Sequence, residues 1–121
     1  MGAGKHELRR ASQSKPSPEE WGNITWLAGR AVGIAEGLTV GRVVIEVGKQ
    51  NPRHYHTTCE EVITLLAGRI EHSAGNERMV MEAGDTLVVP PGMPHNAVNI
   101  DTVPADMIVA YSSADRDFHL E

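Results

Sequence analysis

Apolar positions along this chain fall in short runs, many of them alternating with polar ones, and glycine or proline breaks the runs apart. Leu38 to Val47 is the clearest: Val43, Ile45 and Val47 share one face, and Arg42, Val44 and Glu46 the other. Glu61 to Ile70 is a second strong run, which Glu71 and His72 extend. Ser73-Ala74-Gly75-Asn76 then signals a turn, and Met79-Val80-Met81 begins a return strand, so the pair predicts a hairpin. Asp85 to Val89 is another run, ended by Pro90-Pro91-Gly92. Ala97 to Ile100, Met107 to Tyr111 and the short Ile24 to Leu27 complete the set. Roughly eight or nine short strands with frequent turns predict an all-β sandwich or barrel. The one helical signal lies at Pro18-Glu19-Glu20 before Trp21, where acidic groups suit a first turn. Residues 1–18 are polar, basic and without period, and read as a flexible arm. Residues 19–121 then form a single domain.

Composition narrows the class without naming a chemistry. A chain of 121 residues holds one hydrophobic core, and 40% hydrophobic with 22% charged residues is ordinary globular usage. The net charge of -5 argues against a nucleic-acid partner, which favours a basic surplus. No apolar run approaches the roughly 20 residues of a membrane span, and the N-terminus lacks the apolar core of a secretory signal. Cys59 is the single cysteine, so no internal disulfide framework is expected. These features lead to the expectation of a soluble, cytoplasmic domain.

The chemistry lies in the histidines. His54 and His56 are two apart, so on an extended chain both imidazoles face one side and can approach one cation. A carboxylate a few residues on, reached after a turn, could add a third ligand from the neighbouring strand. Imidazole nitrogen with carboxylate oxygen suits Zn, Mn, Fe, Co, Ni or Cu. Downstream, Pro90, Gly92 and Pro94 form a rigid turn that can aim His95 reproducibly.

Together the two segments resemble the cupin superfamily, whose first motif is G-x5-HxH-x3,4-E-x6-G and whose second is G-x5-PxG-x2-H-x3-N. Gly48, His54, His56, Glu61 and Gly68 fill the first at spacings of five, four and six residues. Gly84, Pro90, Gly92, His95 and Asn99 fill the second, and fifteen residues separate Gly68 from Gly84. The resemblance implies a double-stranded β-helix, or jelly-roll barrel, with one divalent metal ion near its mouth. It implies His54, His56, Glu61 and His95 as ligands, with Glu60 as the rival carboxylate. It also allows Glu61 to act as a base, and implies a homodimer, for which Trp21 to Leu27 is the candidate contact.

Other residues have more than one reading. If Val43 and Ile45 face the core, Arg42 faces water or a partner. If the opposite face lines the pocket, Arg42 could bind a substrate carboxylate. One of Tyr111 and Ser112 must point inward and could reach the pocket. Tyr55 and Arg53 should face away from the metal, Asn99 should bond to backbone, and Cys59 reads as a small rim or core residue. His72 and His119 are expected to be exposed, although His72 could line the pocket. The functional expectation is a metal-dependent enzyme acting on a small oxygen-rich substrate, an oxo-acid, hydroxy-acid or enediol. Dioxygenase, decarboxylase, isomerase and lyase chemistry are all within the family's range. The alternative is a non-catalytic small-ligand-binding or sensing module.

Overall fold

A computed structural model describes residues 4–121. Among these residues, eleven antiparallel strands form two sheets that face each other around the core. The larger sheet has the order β1-β2-β3-β10-β5-β8 and the smaller β11-β4-β9-β6-β7. The strands are β1 (Ser17–Glu19), β2 (Gly22–Ala28), β3 (Thr39–Ile45), β4 (His54–Tyr55), β5 (Glu61–Ala67) and β6 (Arg69–Ala74). They continue with β7 (Glu77–Glu82), β8 (Thr86–Val89), β9 (His95–Asn99), β10 (Ala105–Tyr111) and β11 (His119–Leu120). Among the described residues, helical structure is limited to two short turns, Ala11–Gln13 and Arg30–Val32. This is the jelly-roll arrangement that the strand pattern and the paired motifs predict.

Alternation decides which side chains are buried. Along β3, Thr39, Gly41, Val43 and Ile45 point inward and Arg42 outward; β10 buries Ala105, Met107, Val109 and Tyr111 the same way. Ile45, Leu65, Ile70 and Ala105 are wholly enclosed. They plug the end of the sandwich where Ile45 pairs with Ala105. The site lies toward the other end, where Tyr111 pairs with both Thr39 and Glu61.

Two local expectations are corrected. The expected helical turn at Pro18 to Glu20 does not form. Ser17 and Pro18 pair with Ile24 and Asn23, because an open edge of β2 offers ladder partners that outweigh a short helical preference. The arm expected over residues 1–18 therefore ends inside a strand; residues 1–3 of it lie outside the described residues. The run from Glu61 to Ile70 is not one strand. Gly68, at φ +86°, turns the chain so that β5 and β6 enter different sheets. A Cβ there would stand 2.9 Å from the Pro104 carbonyl oxygen, so glycine is needed for space as well as for φ. The tryptophans anchor their strand to the barrel: Trp21 is buried in the core, and the half-buried Trp26 packs against it with its ring 6.2 Å from that of Tyr111.

Candidate metal centre

Four side chains converge between the sheets. His54 and His95 sit directly opposite each other in the β4–β9 pair, with ring centroids 4.3 Å apart. His56 follows β4 by one residue, and Glu61 opens β5 across from Val89 and Tyr111. All four are buried, and one potential ligand atom from each lies within 4.8 Å of the others. Glu60 is exposed, and its backbone N–H donates to Ser112 Oγ at 3.0 Å. The structure thus brings Glu61, not Glu60, to the cluster.

The backbone fixes how each imidazole presents itself. Nδ1 of His54 donates to the Pro52 carbonyl at 2.8 Å, His56 to Asp117 O at 2.5 Å, and His95 to Met93 O at 3.0 Å. A carbonyl oxygen can only accept, so all three Nδ1 atoms carry protons and the Nε2 lone pairs are left for the centre. The second motif holds this geometry. Gly92, at φ +80°, turns the proline-rich loop, and its N–H donates to His56 O at 2.6 Å, tying the two histidine segments together.

Charge balance then calls for a cation. Glu61 Oε1 lies 2.7 Å from His95 Nε2 and 3.3 Å from His56 Nε2. Carboxylate oxygen and imidazole lone pair repel at such distances unless a proton or metal ion lies between them. His56 Nε2 has no geometrically satisfactory hydrogen-bond partner although it is buried. An orphaned nitrogen, two further imidazoles with free Nε2 and one carboxylate make a donor set that fits a divalent transition metal. Without an ion, protons fill that part. Burial opposes charge on Glu61, but the adjacent His56 and His95 imidazoles outweigh it and hold the carboxyl at about 2. Burial pushes His54 down to about 4.

A cavity of about 490 Å³ opens beside the cluster. Its wall includes Ile24, Trp26, Val43 and Met107, and exposed Ser17, Glu19, Phe118 and Leu120 form its rim. Tyr111 points inward, as one of the two sequence alternatives requires, and its ring stands 4.9 Å from that of His56. Burial raises its phenol well above the ordinary value, and the Glu61 carboxylate adds to this. Arg42 is not in the cavity. Val43 and Ile45 face the core, so Arg42 emerges on the outer face, where its Nη2 and Nε bond both oxygens of Asp106 at 2.5 and 2.8 Å. His72, expected to be exposed, is buried; its ring stacks on His95 at 5.8 Å and lines the cavity. Burial lowers His72 to about 4. Cys59 is buried in the core, and burial raises its thiol.

The C-terminal segment lies outside both motifs, yet it holds the site. Asp117 holds the His56 loop: its carboxylate accepts from the N–H groups of Thr57 and Thr58 at 2.9 and 3.0 Å and from both hydroxyls, while its carbonyl fixes His56. Phe118 stacks on His54 at 4.9 Å. Arg116 lies with its guanidinium carbon 4.5 Å from the Trp26 ring centroid and 5.2 Å from that of Tyr111. The signal was present: Arg116, Phe118 and Leu120 alternate at strand spacing and all three line the cavity.

Comparison with known proteins accords with this geometry. The family model described as the cupin domain matches residues 41–111. The chain is a cupin. A germin-like protein of Oryza sativa is 38% identical over 82 residues, covering 64% of this chain and 36% of its own length. An uncharacterized protein of Methanocaldococcus jannaschii is 33% identical over 70 residues, covering 58% of this cupin and 56% of its own length. This cupin therefore spans roughly a third to a half of these relatives. Among solved structures, an oxalate oxidase in complex with glycolate matches at TM-score 0.74 and 25% identity, over 80% of this chain and 53% of that one. An oxalate decarboxylase of Lactobacillus farciminis in its formate complex matches at TM-score 0.83 over 90% of this chain and 34% of that one. At 20% identity it is a likeness of fold.

Proposed function

We propose that this cupin is a metal-dependent enzyme acting on a small oxygen-rich organic acid, an oxo-acid, hydroxy-acid or enediol. The observation that carries the reading is the buried quartet of His54, His56, Glu61 and His95, with three imidazoles locked in one tautomer and their Nε2 atoms aimed at a common point. Relatives support the substrate class: an oxalate oxidase of Hordeum vulgare is 29% identical over 85 residues, and glycolate is bound in a structural neighbour.

A divalent ion held by the quartet supplies Lewis acidity toward two neighbouring substrate oxygens or, if redox-active, access to O2 chemistry. The protein's own groups do the rest. Tyr111, kept protonated at the cavity wall, is placed to donate a hydrogen bond to a substrate oxygen. Glu61 is the one carboxylate of the quartet and can take a proton if it leaves the ligand set. The apolar wall excludes water and strengthens these interactions. The two-copy assembly implied by the resemblance belongs to the same proposal; light scattering at micromolar concentration should return twice the chain mass, and a single-chain mass counts against it.

The test is turnover. Protein loaded separately with Mn, Fe, Co, Ni, Cu and Zn is incubated with oxalate, glycolate and longer 2-oxo-acids, with and without O2. Consumption that requires both the ion and His95 supports an enzyme. Tight binding of an acid with no consumption under any loading favours a sensing or storage module instead.

A further inference from the structure

Arg116 is a cation without a counter-charge. It forms no ion pair with a carboxylate among the described residues, and its Nε is buried without a partner. Both sequence neighbours are engaged elsewhere. Asp115 pairs with Arg30 at 2.7 Å, and the Asp117 carboxylate is held by Thr57, Thr58 and His119. Glu19 shares the cavity but lies exposed at its rim. The guanidinium instead packs among Trp26, Tyr111 and Phe118, at 4.5, 5.2 and 5.6 Å from their centroids. Packing over aromatic faces leaves the planar N–H edge able to grip a carboxylate through two parallel hydrogen bonds. Tyr111 is common to both sites: its ring is 4.9 Å from that of His56 and 5.2 Å from the guanidinium carbon, and Arg116 lines the same cavity as His54, Glu61 and His95.

The cavity is also large for the acids bound by the structural neighbours. Its volume of about 490 Å³ falls in the range of roughly 300–1,000 Å³ usual for sites that hold drug-sized molecules. Oxalate, with two carbons and four oxygens, would leave apolar wall uncovered at Ile24, Trp26, Val43, Met107 and Leu120. Uncovered apolar wall contributes no binding, whereas every methylene buried against it strengthens binding.

We infer that the substrate is an organic acid with an apolar body, aromatic or branched, whose carboxylate is gripped by Arg116 while its body fills the cavity over the metal centre. This rests on the proposed metal-centre function and narrows its substrate class. Arg116 is assigned as the specificity-determining group.

The experiment is calorimetric titration of metal-loaded protein with phenylpyruvate, phenylacetone and oxalate. The first two differ only in a carboxylate replaced by a methyl group. Phenylpyruvate should bind at least about tenfold more tightly than either of the others. Arg116→Met, which keeps the apolar length, should remove that preference for phenylpyruvate over phenylacetone. Arg116→Lys should retain part of it, and melting temperatures identify either variant that fails to fold. Equal affinity for phenylpyruvate and phenylacetone, tighter binding of oxalate, no binding of phenylpyruvate, or a folded Arg116→Met protein that binds phenylpyruvate normally would each overturn the inference. Metal content separates the two proposals. Full metal occupancy with no carboxylate preference sinks only the role of Arg116. Absence of metal sinks the metal centre, while titration of the metal-free protein still reads the Arg116 contribution.

Discussion

A difference of one residue decides the role of two adjacent carboxylates. Glu61 is buried with its oxygen 2.7 Å from His95 Nε2, whereas Glu60 reaches solvent and contributes only backbone to the fold around it. Glu61→Gln should therefore reduce metal occupancy strongly and Glu60→Gln hardly at all, as read by elemental analysis; equal losses would refute the ligand assignment. Asp117 makes a second prediction. Its carboxylate touches none of the ligand side chains, yet it holds the Thr57–Thr58 backbone next to His56. Asp117→Ala should weaken metal affinity by about 10–100-fold, the usual effect of removing an outer support, with His56 still in place. Chelator competition measures this, and wild-type affinity in the variant would show that the loop orders itself without the clamp. Glu61 and His95 were legible in the sequence because motif spacing names them directly. Asp117 and Arg116 were not, because their partners lie about 60 to 90 positions away and only the return of the chain beside β4 brings them together.

At the scale of elements, the informative feature is the turn that moves the chain from one sheet to the other. Apolar residues continue on both sides of Gly68, so Glu61 to Ile70 reads as one run. The break depends on a backbone conformation and a close approach to Pro104, which a pattern of apolar positions does not encode. Gly68→Ala must adopt φ near +86° and push against a carbonyl 2.9 Å away. It should destabilise the fold by about 1–3 kcal/mol, measured by denaturant unfolding. A change below roughly 0.5 kcal/mol would mean that the turn relaxes easily. Strands β1 and β11 escaped prediction for the opposite reason. Each is short, and its pairing comes from a neighbouring strand edge rather than from its own composition.

The whole molecule combines these local choices into an acid-sensitive fold. His72 is buried neutral and titrates at about 4 inside the protein, below the ordinary histidine value of about 6.5. The unfolded chain thus binds more protons between those two values, so stability rises with pH across the window and is lost as pH falls from about 6.5 toward 4. Glu61, held at about 2, acts in the same direction at lower pH: its contribution is present above the unfolded carboxylate value and fades as pH drops through about 2. Metal-free protein should show a midpoint of denaturation that falls below pH 6.5, and His72→Phe should flatten part of that dependence, the rest staying with His54, which burial also lowers to about 4. A flat profile in the wild-type protein would contradict the assignment of a neutral, buried His72. The two sheets themselves were readable from strand spacing and from the paired motifs. The inward side of each strand was fixed once Val43 and Ile45 were seen to face the core, and that same step carried Arg42 out of the pocket.

The central claim is that His54, His56, Glu61 and His95 hold one divalent ion. The most direct measurement is elemental analysis of protein purified without chelators from cells supplied with several metals, beside a folded His95→Ala variant. The structure predicts close to one ion per chain in the wild-type protein and a large loss in the variant. A wild-type protein that takes up no metal even after anaerobic reloading, or a variant that retains it fully, would contradict the account.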